Sequence, residues 1–181
     1  MTLIQAAAFA AVPEAYIVET LSIPAGIKME ASGLAVLPDG KLAVATRNGD
    51  VWIVPVDAKG KEAGEVKHFA SGLHEPLGLA WHEGSLYATQ RSEVTQLRDT
   101  NGDGAADEYL TFAKGWGVSG NYHEYAYGPV FDPKGNAWIT LNINLGARWP
   151  EELPAGTPNP WRGWCLMVPP GGKLEPVACG F

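Results

Sequence analysis

"GLAVLPDGKLAVATRNGDVWIV", residues 33–54, carries two apolar runs on either side of Pro38-Asp39-Gly40, and a third run, "DVWIVPV", overlaps its end. Proline presets φ, aspartate bonds to its own backbone and glycine accepts positive φ, so the Pro-Asp-Gly step reads as a tight turn between two strands. "EVKHFASGL" (65–73) supplies a fourth short strand. The pattern returns twice, as "GLAWHEGSLYATQRSEVTQL" from Gly78 and "GPVFDPKGNAWITLN" from Gly128, so the units start 45 and 50 residues apart. Four short strands per unit of about 40–50 residues is the pattern of a β-propeller blade. No segment holds a 3.6-residue period over helical length, so the expected fold class is all-β. "FASGL" (69–73) closes the first unit, and "VACGF" (177–181) has the same form. Three to four blades are expected, as the N-terminal part of a longer propeller.

The rest of the composition agrees with a turn-rich globular chain. Its 181 residues are 46% apolar and only 18% charged, with 22 glycines and 14 prolines. A formal net charge of −7 argues against a nucleic-acid partner, which requires a basic stripe. No apolar run approaches the roughly 20 residues of a membrane span. Residues 1–11, with Ala8-Phe9-Ala10, read as a signal-peptide remnant or an N-terminal extension, and 12–181 as one partial propeller domain.

Aligning the units places polar residues in register. The seventh residue after each turn glycine is Arg47, Arg91 and Asn142, which reads as the rim of a shared funnel or as ordinary solvated strand ends. "LHEPLGL" puts His74-Glu75 just before Gly78, and "YHEYAYGP" puts His123-Glu124 just before Gly128. Loops entering the first strand of a propeller blade lie at the end of the central pocket, so the two His-Glu pairs are expected to converge. Histidine exchanges a proton near neutral pH, and an adjacent carboxylate raises its basicity. The alternatives are a transition-metal site and structural histidines.

"RDTNGDGAADEY" (98–109) places Asp99, Asn101, Asp103, the Ala105 carbonyl and Asp107 around Gly104. That spacing suits Ca²⁺, which takes six to eight oxygens, although position 12 is Leu110 and not a bidentate Glu. The flanks "EVTQL" and "EYLTF" read as strands, so the object is a strand–Ca²⁺ loop–strand or a metal-free Asx/Gly hairpin. Two cysteines, Cys165 and Cys179, are symmetric about Gly171-Gly172, which leaves a cross-strand disulfide and two buried thiols as equal alternatives. The Pro-rich stretch 145–164, with Trp149, Trp161 and Trp164, reads as a lid over a sugar site or as a covering loop burying its own rings.

Together "GLAVLPDGKLAVATRNGDVWIV", "GLHEPLGLAWHEGSLYATQ" and "YHEYAYGPVFDPKGNAWITLN" resemble the glucose/sorbosone dehydrogenase propellers, most closely membrane-bound dehydrogenase domains of planctomycete-type bacteria. The resemblance runs from about Val12 to the end. It implies a six-bladed ring holding pyrroloquinoline quinone (PQQ) in its funnel, often with Ca²⁺, and a periplasmic or secreted enzyme oxidising a sugar or alcohol. It further implies that His123 is the general base while hydride passes to the quinone, with His74, Glu75, Glu124, Arg47, Arg91 and Asn142 lining the pocket. The implied partners are the remaining blades or a downstream cytochrome c domain. "GPVFDPKGNAWIT" also resembles lactonase-type propellers, which hold a divalent metal with Glu, Asn and Asp. A non-catalytic, Ca²⁺-stabilised binding module is the third reading.

Overall fold

Each of the three sequence units folds as its own antiparallel sheet in the computed structural model, which describes residues 16–118, 123–143 and 161–179. The first sheet is β1 (Ala31–Val36), β2 (Leu42–Thr46), β3 (Val51–Val54) and β4 (Lys67–Ala70). The second is β5 (Leu79–His82), β6 (Ser85–Thr89), β7 (Glu93–Arg98) and β8 (Glu108–Lys114). The third is β9 (Ala126–Phe131), β10 (Ala137–Leu141), β11 (Trp164–Val168) and β12 (Glu175–Cys179). All three sheets pair their strands in sequence order, which is the meander of a propeller blade. The expectation of three to four blades resolves to three among the described residues. No helix among them is long and apolar enough to cross a membrane.

Turn chemistry sets the strand ends. In the first blade the Asp39 carboxylate accepts from the Lys41 amide, and Gly40 donates to the Leu37 carbonyl at φ +85°. In the third, Asp132 accepts from the amides of Lys134 and Asn136, and from the Asn136 and Trp138 side chains. These bonds hold its carboxyl at about 2, well below the carboxylate range.

Packing then joins the blades. Ala35, Ala43, Ala45 and Val51 of blade 1 meet Leu79, Leu86, Ala88 and Leu97 of blade 2. Tyr87, Val94 and Ala113 on the other face of blade 2 meet Ala137, Ile139, Leu141 and Leu166 of blade 3. Alternate residues of β6 thus face opposite neighbours, as a period of two requires. Burying one Leu or Ile of this kind contributes about 1.5–3 kcal/mol. The first strands of successive blades approach closely at the glycines that begin each repeat. A Cβ on Gly33 would lie 2.8 Å from the Gly78 carbonyl carbon, and one on Gly78 would overlap the Gly128 carbonyl.

The cysteine pairing is corrected by the last ladder. The β11–β12 ladder carries a bulge and pairs Cys165 with Ala178 and Trp164 with Cys179, so the register is one residue away from the symmetric one. Neighbouring residues of a strand point to opposite faces, and the two thiols are not bridged. The 98–109 loop joins two strands, β7 and β8, as expected. Both Asp99 oxygens accept loop amides (Gly102 and Gly104), Asn101 and Asp103 accept those of Asp103 and Ala105, and Asp107 is held by Thr100. Among the described residues no group of three or more His, Cys, Asp or Glu is placed to hold a metal ion. The loop is built as a chain of Asx turns.

Candidate functional site

The loop that enters blade 2 ends in Leu73-His74-Glu75-Pro76, pinned from both sides by backbone bonds. The His74 amide donates to the Gln90 side-chain oxygen, and its carbonyl accepts from the Arg91 amide at 3.3 Å. Glu75 sits in the left-handed region at φ +44°, an unfavourable conformation for a residue with a Cβ. Its side chain bridges two blades. One carboxylate oxygen lies 3.1 Å from Arg47 Nη2, just after β2, and the other lies 3.1 Å from Arg91 Nη1, just after β6. Burial acts against the charged form of Glu75, but the bonds from Arg47 and Arg91 outweigh it and keep the carboxyl below its ordinary range. Reciprocally, Glu75 strengthens the hold of Arg47 on its proton.

The two arginines differ in setting. The Arg47 side chain is 47% exposed, whereas that of Arg91 is 8% exposed and stands 5.9 Å from the centre of the Tyr125 ring. Tyr125 belongs to the loop entering blade 3, so the cation–π contact carries the network to the second His-Glu pair. Trp116 adds a further tie by donating its indole N–H to the Arg91 carbonyl at 2.7 Å.

In that second loop Asn142, the third member of the Arg47/Arg91 register, works through its amides. Its Nδ2 donates to the His123 carbonyl at 2.8 Å, and its backbone N–H donates to the Tyr125 carbonyl at 3.1 Å. Glu124 is fully buried and turns toward Arg162, with Nε 3.6 Å from Oε2. Arg162 also donates to the Tyr125 carbonyl (2.9 Å) and the Gly117 carbonyl (2.7 Å). Burial loosens the hold of Arg162 on its proton, and Glu124 opposes that shift.

The structure therefore brings Arg47, Glu75, Arg91 and Tyr125 into one network at the end of the blades where both His-Glu loops lie. His74 and His123 are exposed on those loops. Glu124 joins a different, buried pair. Arg162 was not anticipated, because it lies in a Pro-rich stretch with no repeat partner. A lone arginine beside aromatic residues is the only signal it offers. Trp161 and Trp164 meet edge to face at 5.5 Å and pack onto the blade 2–blade 3 core, as a covering segment does. Trp149, like residues 1–11, lies outside the described residues.

Residues 57–148 match the family model described as "Domain of unknown function (DUF7133)". No curated protein matches by sequence. Among solved structures, an oxidoreductase (glucose dehydrogenase) from Thermus thermophilus is similar over 81% of this chain and 46% of its own, at 22% identity and TM-score 0.55. The PQQ domain of pyranose dehydrogenase from Coprinopsis cinerea is similar over 80% and 34%, at 16% identity and TM-score 0.54. The PQQ-bound aldose sugar dehydrogenase from Streptomyces coelicolor is similar over 79% and 45%, at 19% identity and TM-score 0.50. These likenesses establish a shared fold, and the chain spans less than half the length of each structure.

Proposed function

The chain belongs to the Domain of unknown function (DUF7133) family, and from that premise and its propeller fold we propose that it forms part of a quinoprotein-type dehydrogenase acting on a sugar or alcohol hydroxyl. The observation that carries this reading is the Glu75 bridge between Arg47 and Arg91, set beside the loop that bears His123. The dehydrogenases of like fold, two of them named for PQQ, support the class of substrate and cofactor. In this reading the partners are the remaining blades or a downstream cytochrome c domain, and the protein works in the periplasm or outside the cell.

The residues fit an anionic, planar quinone. Two guanidiniums share one carboxylate, and the half-exposed Arg47 presents planar donors suited to a carboxylate. Arg47 would hold the quinone, with His74 on the same rim. PQQ, when bound, supplies the electron acceptor for oxidation of the hydroxyl. His123 takes the hydroxyl proton on an imidazole nitrogen, and Asn142 fixes the loop backbone beneath it.

PQQ binding by the full-length protein, followed by fluorescence, and dye reduction with a panel of aldoses and alcohols test this reading. His123→Ala is expected to lower turnover by a factor of about 10² to 10⁴ while PQQ still binds. Absence of PQQ binding would defeat the proposal. It would favour the non-catalytic module, a reading supported by Glu75 being already engaged by both arginines.

A further inference from the structure

We propose that Arg162 is a positioning residue for His123, the side chain that locks the loop entering blade 3 onto the blade's own later segment. This inference rests on the role proposed above for His123. The loop leaves β8, passes Gly117 and returns through His123-Glu124-Tyr125 into β9, so its two limbs need a common anchor. Arg162 is that anchor. Its Nη2 donates to Gly117 on the outgoing limb (2.7 Å), and its Nη1 donates to Tyr125 on the returning limb (2.9 Å). Its Nε lies 3.6 Å from the Glu124 carboxylate, next to His123 in the chain.

A fork of planar donors is required because two carbonyls must be met at once from one side chain whose charge also lies beside the Glu124 carboxylate, and a lysine ammonium has no such fixed geometry. The arrangement is rigid for two reasons. The Arg162 and Glu124 side chains are 1% and 0% exposed, so neither exchanges its partner for water without a large desolvation cost. The segment that carries Arg162 is itself tied down, since Gly163 donates to the Asn142 carbonyl at 2.8 Å and Trp161 packs on the core. Asn142 holds the His123 carbonyl directly. The backbone from His123 to Tyr125 is thus held by Asn142 and Arg162, and these two are tied together through the Gly163 bond to the Asn142 carbonyl.

The test reads His123 itself and needs no cofactor. In the full-length protein, the His123 imidazole resonances and the amide exchange of Glu124 and Tyr125 are followed in Arg162→Lys and Arg162→Gln, with His74 and His82 as internal references. Both variants are expected to move the His123 resonances and to raise exchange at Glu124 and Tyr125 at least tenfold, leaving His82 unmoved. Added guanidinium should partly restore the wild-type spectrum of Arg162→Gln. Unchanged His123 resonances in either folded variant, or equal shifts at all three histidines, would overturn the assignment. Should one variant not fold, the other and the guanidinium rescue decide. Failure of PQQ binding leaves this result standing, so the two proposals fail separately.

Discussion

Gly78 and Gly128 bring the first strands of blades 2 and 3 so close that a methyl group at position 78 would overlap the Gly128 carbonyl. The contact is with backbone, which cannot rotate away as a side chain could. A repeat that looks like a sequence signature is therefore a packing constraint, and it sits directly beneath the Glu75 loop.

Gly78→Ala is expected to destabilise the protein by about 3 kcal/mol or more, at or above the upper end for overpacking. Gly84→Ala makes the contrast. Gly84 has φ +82° and open space around its Cα, so only the left-handed backbone penalty of about 1–2 kcal/mol applies. Denaturant melts of the two variants side by side check the ordering. Equal losses would mean that the blades can slide apart at Gly78.

Glu75 gives the stability a defined acid limb. Its carboxyl is held below the ordinary value of 4.5, so the folded state binds its proton less readily than the unfolded chain. The contribution is full above about pH 4.5 and is lost as pH falls through the lower folded value. Glu75→Gln should flatten this part of the curve of melting temperature against pH, and Arg47→Ala should flatten it in part, since Arg47 makes one of the two bonds that lower the carboxyl but is half exposed. An unaltered acid limb in Glu75→Gln would show that the bridge contributes nothing in solution.

Asp99 supplies acceptors for two amides of the 98–109 loop, through separate oxygens. Asp99→Ala is expected to cost about 1–2 kcal/mol, measured in chelator so that only the loop's own bonds are read. Asp103→Ala removes one such bond at an exposed position and should cost less. A larger loss for Asp103 than for Asp99 would show that the Asx turns are not what holds the loop.

Much of the fold was legible along the chain because propeller blades are built from local pairings. Strand, turn and strand lie within about 20 residues, and Asp39-Gly40 and Asp132-Gly135 carry their turn chemistry with them. The spacing of Gly33, Gly78 and Gly128 likewise carries the blade count. The polar register also follows from the repeat, since Arg47 and Arg91 end equivalent strands and reach one carboxylate.

Other features depended on contacts that no local pattern encodes. The last ladder leaves its turn with Met167 opposite Glu175, and even past the bulge between Cys165 and Leu166 it sets Cys165 opposite Ala178, not opposite Cys179 as the hairpin symmetry implies. The Asp99 loop has calcium-like spacing, and only the folded backbone shows that each Asp99 oxygen also accepts one of the loop's own amides. Glu75 and Glu124 occupy matching places in the repeat yet have different fates. One bridges an exposed and a buried arginine across blades. The other is fully buried against Arg162, which is 38 residues further along the chain. The sequence alone determined which residues pair locally and where each blade begins. Only the tertiary structure decided which carboxylate met which guanidinium, because that choice depends on burial and on segments brought together from distant parts of the chain.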